Sequence, residues 1–291
     1  LLWLLHMATN GKVTKKVENV GFIGAGNMAQ CIIRGIKSTG VPAQNIWVSA
    51  PSLKNLEALK EEGYNTTQRN AEVPKKCSVV FLCVKPHLMD VVGAEIQPQL
   101  TTNHLVISVA AAVKISHLVA MLRVPCRVVR CMPNTCVTVG AGVCAISRGP
   151  GVDADDVALI VNLLGSIGLC EEVSESIMDA VCGLSGSGPA YVCLAIQGMA
   201  DGAVKMGMPR QLALKFAAQT IMGAGKMALD SGYHPEELKD NVCSPGGTTA
   251  YGLSALESRC VRAAFAEAVE AATRRAQELG HKVESKGTSS N

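Results

Sequence analysis

The chain has 291 residues, of which 48% are hydrophobic, only 3% are aromatic and 28 are glycine, and its formal net charge is +3 at pH 7. This length allows two domains with separate cores, packed from small aliphatic side chains. The small charge and the lack of any block of like charge disfavour a nucleic-acid-binding surface or a polyanion-binding tail, which leaves catalysis or binding of small molecules.

The first residues do not have the pattern of a targeting signal. Residues 1–5 are apolar but too few for a signal peptide, and no basic residue precedes them. No apolar run reaches the about 18 residues that cross a bilayer. We therefore expect Met7 to be the native start, residues 1–16 to be disordered, and the protein to be cytoplasmic, with no membrane or nucleic-acid partner.

The glycine-rich run from Val20 to Ala29 predicts a nucleotide-binding turn. It reads as a short apolar strand, a turn, and the start of a helix over residues 29–37. Gly24 would permit a tight turn, Gly26 would let backbone amides approach a pyrophosphate, and small Ala29 would let the helix pack on the strand. The alternative is a sharp strand-to-helix turn that uses glycine for its shape alone.

The end of the second predicted strand, residues 45–50, bears on the choice of dinucleotide. NAD-binding folds carry an acidic residue about 20 positions after the glycine turn, where it binds the ribose 2′-hydroxyl. Here the strand ends in Ser49 and Ala50 and is followed by Pro51 and Ser52, with Lys54 nearby and no carboxylate. Hydroxyls and a lysine can receive a 2′-phosphate, so the sequence favours NADP(H) and leaves NAD(H) open.

Apolar, β-branched runs alternate with helical segments through the first half, which predicts an α/β fold with a Rossmann-like, doubly wound sheet. Further strands are predicted at residues 64–66, 78–84, 104–109, 127–131, 142–147 and 170–173. Helices between them are predicted at 53–62, 70–76, 88–100 and 153–164. These elements give an NAD(P)-binding domain over residues 17–174.

Two strand ends in this domain are candidates to border the nicotinamide, because ligands of open α/β sheets lie beyond the carboxyl ends of the strands. One is Val84-Lys85-Pro86, whose alternative explanation is a proline-terminated strand with a solvated lysine. The other is the alanine run 110–112, whose small side chains admit a flat group or simply allow tight packing. His87 is expected to start a helix rather than to donate a proton.

From residue 175 onward the pattern is helical. Helices are predicted at 189–206, at 209–231, at 250–257 and at 260–279. This half is rich in alanine and glycine and leaves much apolar surface uncovered, so we expect an all-α dimerisation and substrate domain over residues 175–280. Residues 281–291 are expected to be disordered.

A second site-like stretch precedes the helix at 250–257. Ser244 is predicted to be its N-cap and Pro245 its first-turn residue. The two glycines that follow expose backbone amides, and Thr248 and Thr249 supply hydroxyls. Amides at a helix start favour a small carboxylate, although a capped helix without a ligand would look similar.

The twelve cysteines are scattered through apolar segments, with no C-x-x-C pair, and the six histidines are never spaced at i, i+4. This predicts reduced thiols rather than a disulfide framework, and no metal site.

Taken in order, five motifs make the chain resemble the pyrroline-5-carboxylate reductases, most of all their short cytosolic vertebrate form. The resemblance covers residues 17–279. The motifs are Phe22-Ile23-Gly24-Ala25-Gly26-Asn27-Met28-Ala29, Val84-Lys85-Pro86-His87, Arg130-Cys131-Met132-Pro133-Asn134-Thr135, Gly183-Leu184-Ser185-Gly186-Ser187-Gly188-Pro189-Ala190-Tyr191, and the segment from Asp240 to Thr249.

The resemblance implies reduction of the ring C=N of 1-pyrroline-5-carboxylate to L-proline by NADPH or NADH, in the last step of proline biosynthesis. It implies a substrate site formed by Glu175, Ser244, Gly247, Thr248 and Thr249, with Thr249 at the ring nitrogen as the catalytic residue. It also implies a homodimer whose threonines face a cofactor held by the other protomer, and a higher ring such as a decamer. The cofactor-binding residues that it implies are Ile23, Gly24, Ala25, Gly26, Asn27, Met28, Ser49, Pro51, Asn70, Val84, Lys85, Pro86, Ala110, Ala111 and Asn241.

Two other functions remain as alternatives. A β-hydroxyacid dehydrogenase shares the domain order but needs a lysine on the first long helix after the sheet, and here Lys205 stands far along that helix. A catalytically silent NADPH sensor would need no carboxylate site, so the Gly-Gly-Thr-Thr segment disfavours it.

Overall fold

Eight strands form one sheet in a computed structural model that describes residues 17–288, with side chains as far as residue 281. The strand order is β3-β2-β1-β4-β5-β6-β7-β8. The first six strands are mutually parallel, whereas β7 is antiparallel to β6 and β8 is parallel to β7. The strands are β1 Val20–Ile23, β2 Ile46–Ser49, β3 Asn65–Thr67, β4 Val79–Leu82, β5 Leu105–Ser108, β6 Arg127–Pro133, β7 Gly142–Arg148 and β8 Gly168–Glu172.

The central strands are buried on both faces, which is why they are continuous apolar runs rather than alternating ones. Every residue of β1, β4 and β5 is buried. The rings of Phe22 and Phe81 stack between neighbouring strands with centroids 4.9 Å apart. This arrangement confirms the predicted α/β fold with its doubly wound sheet.

Helices of the first half cover the two faces of this sheet. In α1, Ala29, Ile32, Ile33 and Ile36 are fully buried, at the i, i+3, i+4, i+7 spacing that forms one apolar face. The helices before residue 187 are α1 Asn27–Ser38, α2 Leu53–Glu61, α3 Glu72–Lys76, α4 Met89–Ile96, α5 Ile115–Leu122, α6 Ala154–Leu164 and α7 Met178–Val181.

The second half is helical, as predicted. Its helices are α8 Gly188–Lys205, α9 Arg210–Asp230, α10 Pro235–Asn241, α11 Thr248–Glu257 and α12 Val261–Thr288. The last helix continues beyond its predicted end at Leu279, so residues 281–288 of the expected disordered tail are helical.

Two compact units divide the described chain. The sheet unit comprises the residues up to Gly186 together with those from Ala271 on, and the helical unit is Ser187–Glu270. The domain boundary at residue 174 stays a prediction. Residues 1–16 and 289–291, and with them the expected start at Met7, lie outside the described residues.

The helical unit exposes large apolar side chains. Leu194 is 75% exposed, Leu229 80% and Tyr251 75%, although each belongs to a helix. By length and composition alone, the segment Glu175–Lys205 could cross a membrane, and only 11% of its most apolar window is buried within the chain. This surface therefore needs a cover that the single chain does not provide.

Candidate active site

The glycine turn after β1 has the geometry that the fingerprint requires. Gly24 has φ +104°, and a Cβ there would lie 2.6 Å from the carbonyl oxygen of Cys83. Gly26 is the extended N-cap of α1, and a Cβ there would meet no atom within 4 Å. The first position therefore excludes a side chain, while the second presents bare backbone to open space where a pyrophosphate fits.

The loop between the two glycines is fixed from outside the turn. The carbonyl oxygen of Ala25 accepts hydrogen bonds from Asn55 Nδ2 at 2.9 Å and from Gln30 Nε2 at 3.1 Å. The amides of Asn27 and Met28 follow at the amino end of α1. First-turn amides have no partner within the helix, and the helix dipole adds positive potential, so this end attracts phosphate.

Two of the predicted cofactor residues are in direct contact at the end of β2. Ser49 is fully buried, and its Oγ donates to Asn70 Oδ1 at 2.7 Å. Asn70 Nδ2 in turn donates to Glu95 Oε2 at 2.7 Å. Sequence reasoning missed Asn55 and Glu95, because a polar side chain on a helix gives no pattern that distinguishes it from a solvated one.

The other predicted cofactor loops follow β4 and β5, whose carboxyl ends lie at the same sheet edge because these strands are parallel to β1 and β2. Lys85 is the N-cap of the short 3₁₀ turn Pro86–Leu88, so His87 stands at a helix start as expected. In the alanine run, Ala110 is buried and Ala112 has φ +63°. Ala112 thus adopts a left-handed conformation that favours glycine.

The predicted substrate residue Glu175 is engaged within the sheet unit. Its Oε1 accepts a hydrogen bond of 2.7 Å from the backbone N of Ile115, at the start of α5. The same oxygen lies 3.5 Å from Arg130 Nη1, and Arg130 Nη2 lies 3.1 Å from Asp179 Oδ1. Because Arg130 is only 2% exposed, these carboxylates neutralise a buried cation. A substrate role for Glu175 stays a prediction.

Two of the motifs that carry the resemblance meet in the sheet unit. At the end of β6, Asn134 Nδ2 donates to the carbonyl oxygen of Ser185 at 3.1 Å, within a π-helical turn Cys182–Gly186. Asn134 Oδ1 accepts from the backbone N of Val143 at 3.1 Å and from that of Cys136 at 3.2 Å. One buried amide therefore ties the sheet to the turn that leads into α8.

A cavity of about 660 Å³ lies beside the ends of the reversed strands β7 and β8. Glu175 lines it, together with the ion pair between Arg148 and Glu172. Hydrogen bonds donated by Arg148 hold the pKa of Glu172 below its usual range.

In the helical unit, the predicted cap of the carboxylate site is wrong. The N-cap of α11 is Gly247, not Ser244. Instead, Ser244 opens a turn closed by a 2.9 Å hydrogen bond from Gly247 N to the Ser244 carbonyl oxygen, with Gly246 at φ +68°. Proline and then glycine at the two central positions favour such a turn over a helix start.

The remaining candidates of this unit are close in sequence. Thr248 and Thr249 are the first two residues of α11, with Thr248 exposed and Thr249 half-buried. Asn241 is exposed at the last position of α10. The turn therefore places the amides of both threonines at a helix start, where a carboxylate is favoured, while the Gly247 amide closes the turn. Among the described residues, no group of three His, Cys, Asp or Glu side chains could hold a metal ion.

Family profiles and curated relatives match the whole architecture. A profile described as NADP oxidoreductase coenzyme F420-dependent matches residues 19–112, and one described as pyrroline-5-carboxylate reductase dimerisation matches residues 175–279. Pyrroline-5-carboxylate reductase 3 of Macaca fascicularis is 46% identical over 277 residues, which are 95% of this chain and 100% of the relative. Pyrroline-5-carboxylate reductase 2 of Homo sapiens is 45% identical over 268 residues, or 90% and 83% of the two chains.

Solved structures agree with these matches. A pyrroline-5-carboxylate reductase from Coxiella burnetii superposes with a TM-score of 0.86 at 37% identity, over 91% of this chain and 99% of that one. The pyrroline carboxylate reductase of Plasmodium falciparum, solved with NADP bound, has a TM-score of 0.81 at 33% identity, over 90% and 98%.

Proposed function

The chain belongs to the pyrroline-5-carboxylate reductase family and is an NAD(P)H-dependent reductase of proline biosynthesis, and from this premise we propose which residues carry its reaction. The substrate is 1-pyrroline-5-carboxylate, whose ring C=N bond is reduced, and the product is L-proline. The observation that carries the assignment is 46% identity along the full length of a named reductase. No lysine is placed where a β-hydroxyacid dehydrogenase needs one, and the carboxylate site disfavours a silent sensor.

The cofactor lies along the carboxyl edge of the sheet. The turn from Ile23 to Met28 binds the pyrophosphate through backbone amides, and Ser49, Pro51 and Asn70 bind the adenosine ribose. Val84 to Pro86, Ala110 and Ala111, and Asn241 surround the nicotinamide half. When bound, NAD(P)H supplies the hydride. The open space at Gly26 and the contact between Ser49 and Asn70 support this placement.

The imine substrate needs orientation more than activation, because a protonated C=N is already electrophilic. The turn from Ser244 to Gly247 and the amide of Thr248 hold its carboxylate, and Glu175 contributes to the substrate site. Thr249 forms a hydrogen bond to the ring nitrogen and fixes the face that receives hydride. The half-buried position of Thr249 at a helix start supports this role.

The active assembly is a homodimer, in which the helical unit of each protomer faces the cofactor of its partner, and dimers associate into a ring such as a decamer in the cytoplasm. The dimerisation profile over residues 175–279 supports a protein partner, rather than lipid, as the cover of the apolar helical surface.

The test is NADPH consumption with 1-pyrroline-5-carboxylate, run beside NADP⁺ reduction with 3-hydroxyisobutyrate and beside a nucleotide-binding measurement. Turnover of the imine alone is the expected result. Turnover of the hydroxyacid would replace the proposal with the dehydrogenase, and nucleotide binding without either reaction would replace it with the sensor.

A further inference from the structure

The end of β2 lacks the group that would select NADH. In dinucleotide-binding folds, an acidic residue at this place binds the ribose 2′-hydroxyl and repels a 2′-phosphate, whereas a nearby arginine accommodates the phosphate. The residues after β2 are Ala50, Pro51 and Ser52, so no carboxylate stands there. No arginine stands there either, so an arginine that recognises the phosphate would come from a neighbouring loop.

The loop after β3 is tied to this place by three hydrogen bonds. Ala50 N donates to the carbonyl oxygen of Thr67 at 3.2 Å, and Gln68 Nε2 donates to the carbonyl oxygen of Pro51 at 2.9 Å. Ser49 Oγ donates to Asn70 Oδ1 at 2.7 Å. The residue between Gln68 and Asn70 is therefore held beside the end of β2, where the ribose of a bound dinucleotide lies.

That residue is Arg69, and its side chain is 81% exposed. Its backbone N donates to Thr67 Oγ1 at 3.2 Å, and its guanidinium pairs with Glu72 at the start of α3. Thr67 Oγ1 also donates to the Glu72 carboxylate and holds the pKa of that carboxyl below its usual range. Hydrogen bonding therefore holds the backbone of Arg69 in place, while its guanidinium remains exposed to solvent. Lys54, exposed in the first turn of α2, is the other cation of these loops.

We infer that Arg69 binds the 2′-phosphate of NADPH and makes this reductase prefer NADPH to NADH. The planar guanidinium suits two oxygens of one phosphate, and its charge offsets the dianion. The inference deepens the proposed function by naming the cofactor, and it rests on that function for the position of the ribose. Loss of such charged hydrogen bonds corresponds to an about 10- to 100-fold weaker Kd.

The experiment is calorimetric titration of the intact oligomer with two cofactor fragments, 2′,5′-ADP and 5′-AMP, which differ only in the 2′-phosphate. Arg69→Gln is expected to weaken the binding of 2′,5′-ADP by about tenfold or more, while the affinity for 5′-AMP stays within about twofold. The matched control is Arg34→Gln, which removes an exposed arginine paired with Glu62. This control should leave both affinities unchanged.

Four results would overturn the inference. An unchanged affinity of Arg69→Gln for 2′,5′-ADP would do so, as would an equal loss for both fragments, because the loop rather than the phosphate would then be affected. An equal loss of affinity for 2′,5′-ADP in Arg34→Gln would mean that the overall positive potential, and not Arg69, attracts the phosphate. A larger loss in Lys54→Gln would assign the phosphate to Lys54 in α2. Because no imine is present, failure of the proposed reduction leaves this test intact.

Discussion

Gly24 stands at a position that only glycine can occupy without strain, for two reasons. Its φ of +104° lies in the region that favours glycine. In addition, a Cβ at this position would lie 2.6 Å from the carbonyl oxygen of Cys83. A backbone atom cannot rotate away as the end of a side chain can. The shape of the nucleotide loop therefore depends on this one residue, whereas Gly26 leaves the loop open to the ligand.

Gly24→Ala is expected to lower the free energy of unfolding by about 2 kcal/mol or more, because strain and a backbone clash add. NADPH affinity should fall by at least about tenfold as the loop shifts. Gly40→Ala is the matched control, with φ +97° and no atom within 4 Å of its Cβ. Gly40→Ala introduces the conformational strain alone, so it should lower the free energy of unfolding by about 1 kcal/mol and leave NADPH binding unchanged. Urea unfolding and calorimetry measure both, and equal behaviour of the two variants would contradict the role of the clash.

At the scale of one residue, Thr249 offers the most direct test of the proposed function. Thr249→Ala should reduce kcat by about 10- to 100-fold, because the hydrogen bond to the charged ring nitrogen is lost. The Kd for NADPH should stay within about twofold, since the hydroxyl serves the substrate. Thr249→Ser keeps the hydroxyl and should restore most of kcat. A parallel loss of NADPH affinity, or no rescue by serine, would remove Thr249 from the reacting centre.

At the scale of the element, how much the sequence predicts depends on whether a feature leaves a local pattern. Most strands are apolar runs, and all eight were predicted near their observed positions, including the polar edge strand β3. The reversal of β7 was not, because strand direction depends on pairing with β6 and leaves no mark in the run itself. Ser244 was wrongly predicted as an N-cap, because Pro-Gly favours a closed turn before the helix starts. Arg69 was missed, because one exposed arginine in a loop has no periodicity.

His104 joins two elements at the entry to β5. It is 8% exposed, and its Nδ1 accepts from the backbone N of Thr101 at 2.9 Å. Since a carbonyl can only accept, Nε2 donates to the Pro74 carbonyl oxygen in α3, also at 2.9 Å. The ring therefore serves structure, with one tautomer fixed by backbone groups on both sides.

His104→Ala is expected to lower the free energy of unfolding by about 2–4 kcal/mol, because a buried donor and a buried acceptor lose their partner. His87→Ala, an exposed histidine of the same unit, should change it by less than about 0.5 kcal/mol. Urea denaturation followed by circular dichroism gives both values. A loss below about 1 kcal/mol for His104→Ala would mean that water replaces the ring.

At the scale of the whole molecule, the two units differ in how their apolar surface is used. The sheet unit buries its large side chains in clusters on both faces of the sheet. Within the helical unit, α8 and α9 pack through small residues, with Ala200, Ala213 and Ala217 at the centre. Small residues bring helix backbones close, but they leave the larger side chains on the outside, which is the composition of an interface between subunits.

In the proposed dimer, catalysis depends on assembly. Leu194, 75% exposed on α8, lies on the surface that we assign to the dimer. Leu194→Lys should shift the protein toward monomer in sedimentation velocity, because a charge at the core of an interface is costly to bury. NADPH should still bind to the sheet unit, whereas imine reduction should be lost, since each substrate site needs the cofactor of the partner protomer.

Val91→Lys is the control for this variant, because it places the same charge at an apolar residue of α4 that is 59% exposed in the sheet unit. It should leave both the assembly and the activity unchanged. A Leu194→Lys protein that is monomeric yet reduces the imine at the wild-type rate would show that one chain contains a complete site. A dimeric and inactive variant would instead place Leu194 in the site rather than at the interface, so the two measurements together distinguish assembly from chemistry.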